Sequence, residues 1–241
     1  MLLKLCVLEI KRCMRQKLML SSFVLLPICF YFIFIFQLNS EDAHSLKQEV
    51  MIRMALFSVL GYIVVTLPQD LIIEKQIGWA KRIVTSSTTY TVYFISKVFK
   101  TLFLSSIGCL SIFYAGFVNG VSLTTFQWIN IFLTLLIGSL VLYPVAFLLS
   151  FYKDISRVAP LSNFIYLLLA LLGGLWVPIQ SLPIPVPGIC EYLPILHIQK
   201  IVLFYLNMGQ ILWFSVFKIF VYCIIMLIII RIIQHKVGAF I

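Results

Sequence analysis

Unbroken runs of apolar residues constrain this chain more than any other feature of its sequence. Six runs are about 17 to 24 residues long, enough to cross a hydrocarbon core of about 30 Å as α-helices. Hydrophobic residues make up 62% of the chain and charged residues 11%, far from the roughly one half and one quarter of a soluble domain. We therefore predict an all-α membrane protein, one domain over residues 1–241, with six transmembrane helices at 18–38, 54–73, 101–118, 128–151, 161–177 and 211–230.

The basic residues lie mainly on one side of this six-span plan. Both termini fall on the same side, and fourteen of the 18 Lys and Arg residues flank the spans there. Because basic loops are retained on the inner side of a membrane, we predict a multi-pass cell-membrane protein with both termini cytoplasmic. The net charge of +10 then indicates contact with the lipid bilayer and not with nucleic acid.

Residues 1–17 are predicted to form an amphipathic interfacial helix on the cytoplasmic membrane surface. Apolar residues recur there at helical spacing, and basic residues occupy another face. The apolar positions are Leu3, Val7, Ile10 and Met14, and the basic positions include Lys4, Lys11 and Arg15. The pattern fits a helix with a mechanical role and, equally, a basic flank that only orients the first span.

The segment 74–97 joins the second and third spans on the cytoplasmic side. It is too charged to be inserted into a bilayer and too apolar for a free linker. Ile77, Ala80 and Val84 recur at spacings of three and four residues, which indicates a short surface helix offered to a partner. A solvated loop is the alternative interpretation.

The segment 178–210 joins the fifth and sixth spans on the outer side. Its five prolines exclude one continuous helix. The apolar stretch 195–206 is too short to cross a bilayer, so we predict re-entrant extracellular helices packed against protein. His197 has no Cys, Asp or Glu at ligand spacing, which is more typical of a structural histidine than of a metal ligand.

No residue pattern indicates catalysis or a metal site. The six cysteines are scattered without C-x-x-C spacing, so we interpret them as apolar packing residues. Asp70 and Glu74 share one helical face at the cytoplasmic edge of a span, where a helix-end role is the simpler interpretation. Lys218 lies in the outer half of the last span, from which its ammonium can reach the membrane surface. We expect no catalytic residue.

Two spaced motifs carry a resemblance to a known family. The first has a Glu, a Gly, a basic and an aliphatic residue, a hydroxyl residue and a Lys, at Glu74, Gly78, Arg82, Ile83, Ser86 and Lys97. The second has a Gly, an aromatic residue and spaced prolines, at Gly174, Trp176, Pro178, Leu182, Pro183, Leu193, Pro194 and His197. Trp79, Ser87 and Ser96 depart from the pattern. On these motifs the chain resembles an ABC transporter permease of the ABC-2 exporter type.

The resemblance implies a transport subunit and not an enzyme. Such a permease pairs with a second copy or a paralogue, most simply as a homodimer, and moves substrate outward while separate ABC ATPase subunits hydrolyse ATP. The chain has no G-x-x-x-x-G-K-[ST] loop, so we expect no cofactor on it and place ATP and Mg on the partner. The implied ATPase-coupling residues are Glu74, Ile77, Gly78, Lys81, Arg82 and Val84. The implied extracellular gate comprises Pro178, Pro183, Pro194, Leu196 and His197.

The small outer loops and the aromatic content of the chain suit an amphiphilic substrate, such as a peptide, a lipid or a drug. An ion-coupled secondary carrier or a channel is the alternative function. Those proteins generally place ionisable groups near the bilayer midplane or contain repeated halves. The sequence has no internal repeat and no acidic residue at the middle of a predicted span, which favours the exporter.

Overall fold

Helices form all the regular structure in the part of the chain that the structure describes. The structure is a computed structural model, and it describes residues 2–14, 17–37, 43–79, 82, 90–152, 154–181, 183 and 186–237. No strand occurs in these ranges, which confirms the all-α prediction. Outside them lie several residues named above, namely Arg15, Ala80, Lys81, Ile83, Val84, Ser86, Ser87 and Leu182.

Eleven α-helices follow one another along the described ranges. They are α1 Leu2–Met14, α2 Lys17–Phe36, α3 Ala43–Gly61, α4 Leu67–Gln76, α5 Tyr90–Val118, α6 Thr125–Ser139, α7 Tyr143–Leu149, α8 Ile155–Leu172, α9 Val186–Cys190, α10 Pro194–Met208 and α11 Trp213–Val237. Within the described ranges, five segments are long and apolar enough to cross a membrane: Ser45–Gln76, Val92–Val118, Thr125–Leu149, Ile155–Leu172 and Trp213–Ile232. The described part of α2 adds a shorter apolar helix, Phe23–Phe36, so the six-span plan stays a prediction.

The helix Ser45–Gln76, which contains most of α3 and all of α4, is the centre of the bundle. Of its most apolar stretch 89% is buried within the protein, against 50% for α5 and 6% for α11. The helices α2, α5, α6, α8 and α10 all pack against it. With 32 residues it is about 48 Å long, so its ends extend beyond a hydrocarbon core of about 30 Å. The span predicted at 54–73 is the middle part of this longer helix.

A π-helical turn, Tyr62–Thr66, connects α3 to α4 without ending the helix. The Leu67 amide donates a hydrogen bond to the Tyr62 carbonyl, five residues back. Pro68 follows directly and has no amide hydrogen with which to continue the α-helical pattern, so the wider turn accommodates it. The helix therefore continues as α4, whose polar residues lie at one end of the bundle.

The helix α10 covers the apolar stretch predicted at 195–206. Pro194 stands in its first turn, where a missing amide hydrogen has no cost. Gly209 ends it in the left-handed conformation, with φ of 67°. Ile195, Leu196 and Ile198 are buried on this helix, so it packs against protein over its first turns. Its re-entrant position in a membrane stays a prediction.

The close approach of α3 and α5 at Gly108 generates a stability prediction. A Cβ atom added at Gly108 would collide with Ser58 Oγ and lie 3.0 Å from Tyr62 Cε2. We expect Gly108→Leu to lower the free energy of unfolding by about 1–3 kcal/mol, as in other overpacked cores. Gly188→Leu is the control, because a Cβ atom there meets nothing within 4 Å. Thermal unfolding of both variants in one detergent measures the difference, and equal stabilities would contradict this packing.

Candidate functional site

Charged side chains from three helices meet at the end of the bundle where α4 ends. We call this group the charge cluster. Its members are Glu9 and Arg12 of α1, Asp70 and Glu74 of α4, and Lys97 and Lys100 of α5. Three carboxylates face three cations, so the cluster is neutral as a whole. It contains three of the eight acidic residues of the chain.

The helical period explains why each helix supplies two members of the charge cluster. Residues three or four apart lie on one face of an α-helix. Glu9 and Arg12 are three apart in α1, and Asp70 and Glu74 are four apart in α4. The two lysines of α5 are again three apart. Three helix faces, each with two neighbouring charges, therefore meet along one line of contact.

Lys97 lies between two carboxylates and has no exposed surface. Its Nζ is 2.5 Å from Glu74 Oε1 and 2.6 Å from Glu9 Oε2. The first contact has hydrogen-bond geometry, whereas neither oxygen of the buried Glu9 accepts a hydrogen bond from the described residues. The attraction between Lys97 and Glu9 is therefore mainly electrostatic. This pair joins the N-terminal helix α1 to α5.

Glu74 receives bonds from two other helices. Arg12 Nη1 lies 2.6 Å from Glu74 Oε1, and Tyr93 Oη donates to Glu74 Oε2 at 2.5 Å. The guanidinium of Arg12 also stands over the Trp79 ring, 5.6 Å from its centroid, a favourable cation–π arrangement. With the bond from Lys97, the Glu74 carboxylate ties α1 and α5 to the end of α4.

Two further residues of α4, Asp70 and Lys75, make polar contacts of their own. Lys100 donates a hydrogen bond to Asp70 on the α5 side. On another side, Lys75 Nζ donates to the Ser150 carbonyl at 3.1 Å, just after the end of α7. An ion moved out of water costs several kcal/mol unless an opposite charge compensates it. The cluster members therefore hold one another in place, and α4 is held from several directions.

The structure brings together two residues that the sequence motif places far apart. Glu74 and Lys97 mark the start and the end of segment 74–97, and their side chains bond directly. A displacement of this segment therefore acts on α4 and α5 together. Because all six charges face a partner of opposite sign, the arrangement suits mechanical linkage of the helices more than proton transfer.

The predicted coupling residues divide between the interior and the surface. Glu74 is 3% exposed and belongs to the charge cluster, whereas Ile77 is 55% exposed. Gly78 has φ of 71°, and a Cβ atom there would meet nothing within 4 Å. Arg82 is exposed. Ile77 and Gly78 thus lie side by side on an open surface directly after α4.

The predicted gate residues are likewise divided. Pro194, Leu196 and His197 are buried together in the first turn of α10, and Pro178 and Pro183 are exposed. Leu196 lines a cavity of about 500 Å³ between α10 and the start of the central helix. The charged side chains that line this cavity are Glu49, Arg53, Glu191 and Lys200. The predicted gate therefore combines a packed helix with a cavity whose lining includes four charged side chains.

Arg53 and Gln199 connect α10 to the central helix at the end opposite the charge cluster. Arg53 forms an ion pair with Glu49, one turn earlier. In the orientation that satisfies its amide, Gln199 accepts a hydrogen bond from Arg53 Nε at 2.8 Å and donates to the Gly173 carbonyl at 3.1 Å. The end of α8, the helix α10 and α3 are thereby joined through one buried amide.

His197 has a structural position, as its isolated occurrence in the sequence indicated. Its Nε2 lies 2.8 Å from the Glu191 carbonyl, so it donates a proton there. Its Nδ1 is then free to accept a hydrogen bond from Ser215 Oγ at 3.2 Å. Burial lowers the pKa of His197 below its ordinary value, while the bond to Glu191 opposes this shift. The neutral ring joins α10 to α11.

Sequence reasoning missed several members of the charge cluster. Glu9 was not singled out, although an acidic residue among the basic ones of α1 was a usable signal. Asp70 and Glu74 were interpreted as helix-end residues, whereas they pair across helices with Lys100 and Lys97. Their four-residue spacing and the three-residue spacing of the two lysines were visible in the sequence, but the pairing between helices was not.

Comparison with known proteins gives one informative relative. Over 234 residues the chain is 26% identical to the Bacillus subtilis (strain 168) protein named "Putative transport permease YvfS", and the match covers 96% of each chain. No protein-family model matches the chain, and no solved structure matches it. Together with the apolar helices, the name of this relative supports a membrane-embedded transport permease, which is a transporter and not an enzyme.

The charge cluster generates a prediction about stability. Lys97→Met leaves buried carboxylates uncompensated, so we expect a loss of about 3–5 kcal/mol in the free energy of unfolding. Adding Glu9→Gln to this variant restores neutrality and should recover part of the loss. Arg157→Met is the control, because Arg157 and its partner Asp154 are exposed and such pairs contribute little. Denaturation of the purified chain in detergent measures all variants; a double variant less stable than Lys97→Met contradicts the cluster.

The lowered pKa of His197 generates a prediction about pH. The folded state binds fewer protons than the unfolded state between the lowered pKa and about 6.5. Stability is therefore fully present above about pH 6.5 and falls as the pH drops below it, by at most about 1.4 kcal/mol per pH unit. His197→Gln should flatten this dependence. Melting temperatures of both proteins between about pH 8 and pH 5 test it, and parallel curves would contradict it.

Proposed function

We propose that the chain is the membrane subunit of an ATP-driven exporter of the ABC-2 type. It works as a homodimer or with a close paralogue in the cell membrane, with both termini cytoplasmic. Separate ABC ATPase subunits bind ATP and Mg, and the permease moves an amphiphilic peptide, lipid or drug outward. The similarity to a transport permease over 96% of the chain supports the transport part of this proposal.

The observation that carries the ATP-driven part is the bond between Glu74 and Lys97. In a permease driven by another protein, a docking segment must pass a displacement to the membrane helices. Segment 74–97 continues into α4 at one end and into α5 at the other, and the Lys97 ammonium clamps these ends together at 2.5 Å. A push on the segment therefore moves two membrane helices as one unit, and α1 moves with them through Arg12.

The surface beside the Glu74–Lys97 ion pair is suited to binding a protein partner. Ile77 exposes 55% of its surface at the end of α4, and Gly78 lets a partner approach the backbone closely because it has no side chain. Lys81, Arg82 and Val84 follow in the sequence and extend the same segment. Burial of the apolar residues supplies most of the affinity, since exposed ion pairs contribute only about 0–1 kcal/mol each. The basic residues then pair with acidic groups at the rim of the ATPase and set its orientation.

The outer region suits a gate. The first turn of α10 packs Leu196 and His197 inside the protein, next to the cavity of about 500 Å³. Arg53 and Gln199 hold α10 against the central helix. The central helix extends from the Arg53–Gln199 contact to the charge cluster. A tilt of α4 is therefore transmitted to the gate through one continuous helix. Outward release follows when α10 separates from α3.

An ion-coupled carrier is the second candidate, and one observation favours it. Glu9, Asp70 and Glu74 are buried carboxylates next to lysines, the kind of groups that proton-coupled carriers use. All three face cations within the charge cluster, however, and they lie at the end of the bundle and not at its middle. Transport that follows a proton gradient without any ATPase would favour this candidate.

The docking surface generates the test of the proposed function. We expect Ile77→Asp to abolish recovery of the ATPase when the tagged chain is purified from membranes, because it places a charge in an apolar contact. Ile189→Asp is a matched control, since Ile189 is 56% exposed on the predicted outer side. The ATPase bound to equal amounts of each protein is the measurement.

The same purification identifies the class of the partner. An ATPase with a phosphate-binding loop, recovered with the wild-type chain and with Ile189→Asp, supports the proposal. Full ATPase recovery with Ile77→Asp would show that segment 74–97 is not the docking surface. Transport by the purified chain alone, without any ATPase, would reject the ATP-driven function.

A further inference from the structure

The side of α1 that faces away from the helix bundle carries a groove. This groove has no part in the proposed transport mechanism. Its floor is formed by Leu3, Val7 and Leu8, Trp79 lies beside them, and its volume is about 770 Å³. The charged residues that line this groove are all basic, namely Lys4, Lys11 and Arg12. An apolar floor edged by cations is the chemistry of a site for an amphiphilic anion.

The orientation of α1 leaves its most apolar side uncovered. Cys6, Glu9 and Cys13 are at most 5% exposed and face the bundle, whereas Leu3 is 78% exposed and Val7 51%. The buried side thus serves the charge cluster, and the apolar side faces away from the protein. An apolar helix face with basic edges is typical of a helix that lies in the headgroup region of a membrane.

The charges of this region leave two lysines uncompensated within the described residues. Arg12 is engaged by Glu74, and the charge cluster is neutral by itself. In that part of the chain, the ion pairs of α1 involve Glu9 and Arg12 and neither of its exposed lysines. Lys4 and Lys11 are seven residues apart, two helical turns or about 10 Å, and both line the groove.

We propose that this groove binds an anionic phospholipid, with an acyl chain along Leu3, Val7 and Leu8 and the phosphate at Lys4 and Lys11. The proposal rests on the proposed function only for the position of α1 at the cytoplasmic membrane surface. Because Arg12 and Glu9 bind α1 to α4 and α5, the lipid holds the coupling helices at a fixed depth in the bilayer. The lipid composition of the membrane thereby regulates transport.

Trp79 allows the site to be observed directly. It is one of four tryptophans, and replacing Trp128, Trp176 and Trp213 by Phe leaves it as the only fluorophore of its kind. The full-length chain is reconstituted in phosphatidylcholine bilayers with increasing dibrominated phosphatidylglycerol or, in parallel, dibrominated phosphatidylcholine. Bromine quenches tryptophan on contact, so the quenching reports which lipid occupies the groove.

We expect the brominated phosphatidylglycerol to quench Trp79 at a lower mole fraction than the brominated phosphatidylcholine. Each basic residue at an anionic surface contributes a factor of about five in affinity. Lys4→Gln with Lys11→Gln should therefore abolish the preference, whereas Lys200→Gln on α10 should keep it. Should the tryptophan replacements prevent folding, native mass spectrometry of the otherwise unaltered chain, with and without the lysine substitutions, counts the retained phosphatidylglycerol.

Three results would overturn the proposal. Equal quenching by both lipids removes the anion preference, and a preference that survives loss of both lysines places the lipid elsewhere. Protection of Trp79 from both lipids when an ATPase is bound assigns the groove to a protein partner. The lipid preference is measured on the permease chain without ATP or ATPase, and an ATPase is added only for the protection measurement. Failure of the ATP-driven function therefore leaves the lipid preference unchanged.

Discussion

An ion buried away from water must face an opposite charge, and this constraint organises the end of the bundle where α4 stops. Removal of a single partner leaves an uncompensated charge whose cost is several kcal/mol. The six members of the charge cluster therefore fix α1, α4 and α5 relative to one another. Lys97, with no exposed surface and two carboxylate neighbours, is the member on which the other contacts depend.

The charge cluster also holds the central helix in place. Ser45–Gln76 is the most buried helix of the described ranges, and it has polar ties at both ends and apolar packing between them. The charge cluster holds one end of the central helix, and the hydrogen bond between Arg53 and Gln199 holds the other end. The π-helical turn at Tyr62–Thr66 between these ends is itself buried. Polar contacts therefore hold the central helix at both ends, and apolar packing holds it between them.

The helix α11 is far less buried within the protein than the central helix. Only 6% of its apolar stretch is buried, and His197 with Ser215 gives it a polar tie to α10. Lys218 places its ammonium 4.8 Å from the centroid of the Phe214 ring, one turn closer to the start of α11. Dispersion contacts with lipid are as favourable as those with protein for such a helix. Its surface is therefore suited to the bilayer or to a second copy.

The sequence by itself determined the all-helical membrane class, because apolar runs of span length leave the backbone no other way to satisfy its hydrogen bonds in lipid. It also marked the ends of segment 74–97 and the short apolar helix at 195–206. Tertiary structure alone decided that Glu74 points inward to Lys97, that the buried Glu9 of α1 joins them, and that Lys4 and Lys11 of α1 stay exposed. The physical reason is that helical periodicity assigns a residue to a face, whereas the choice of neighbour for that face depends on how three separate helices pack.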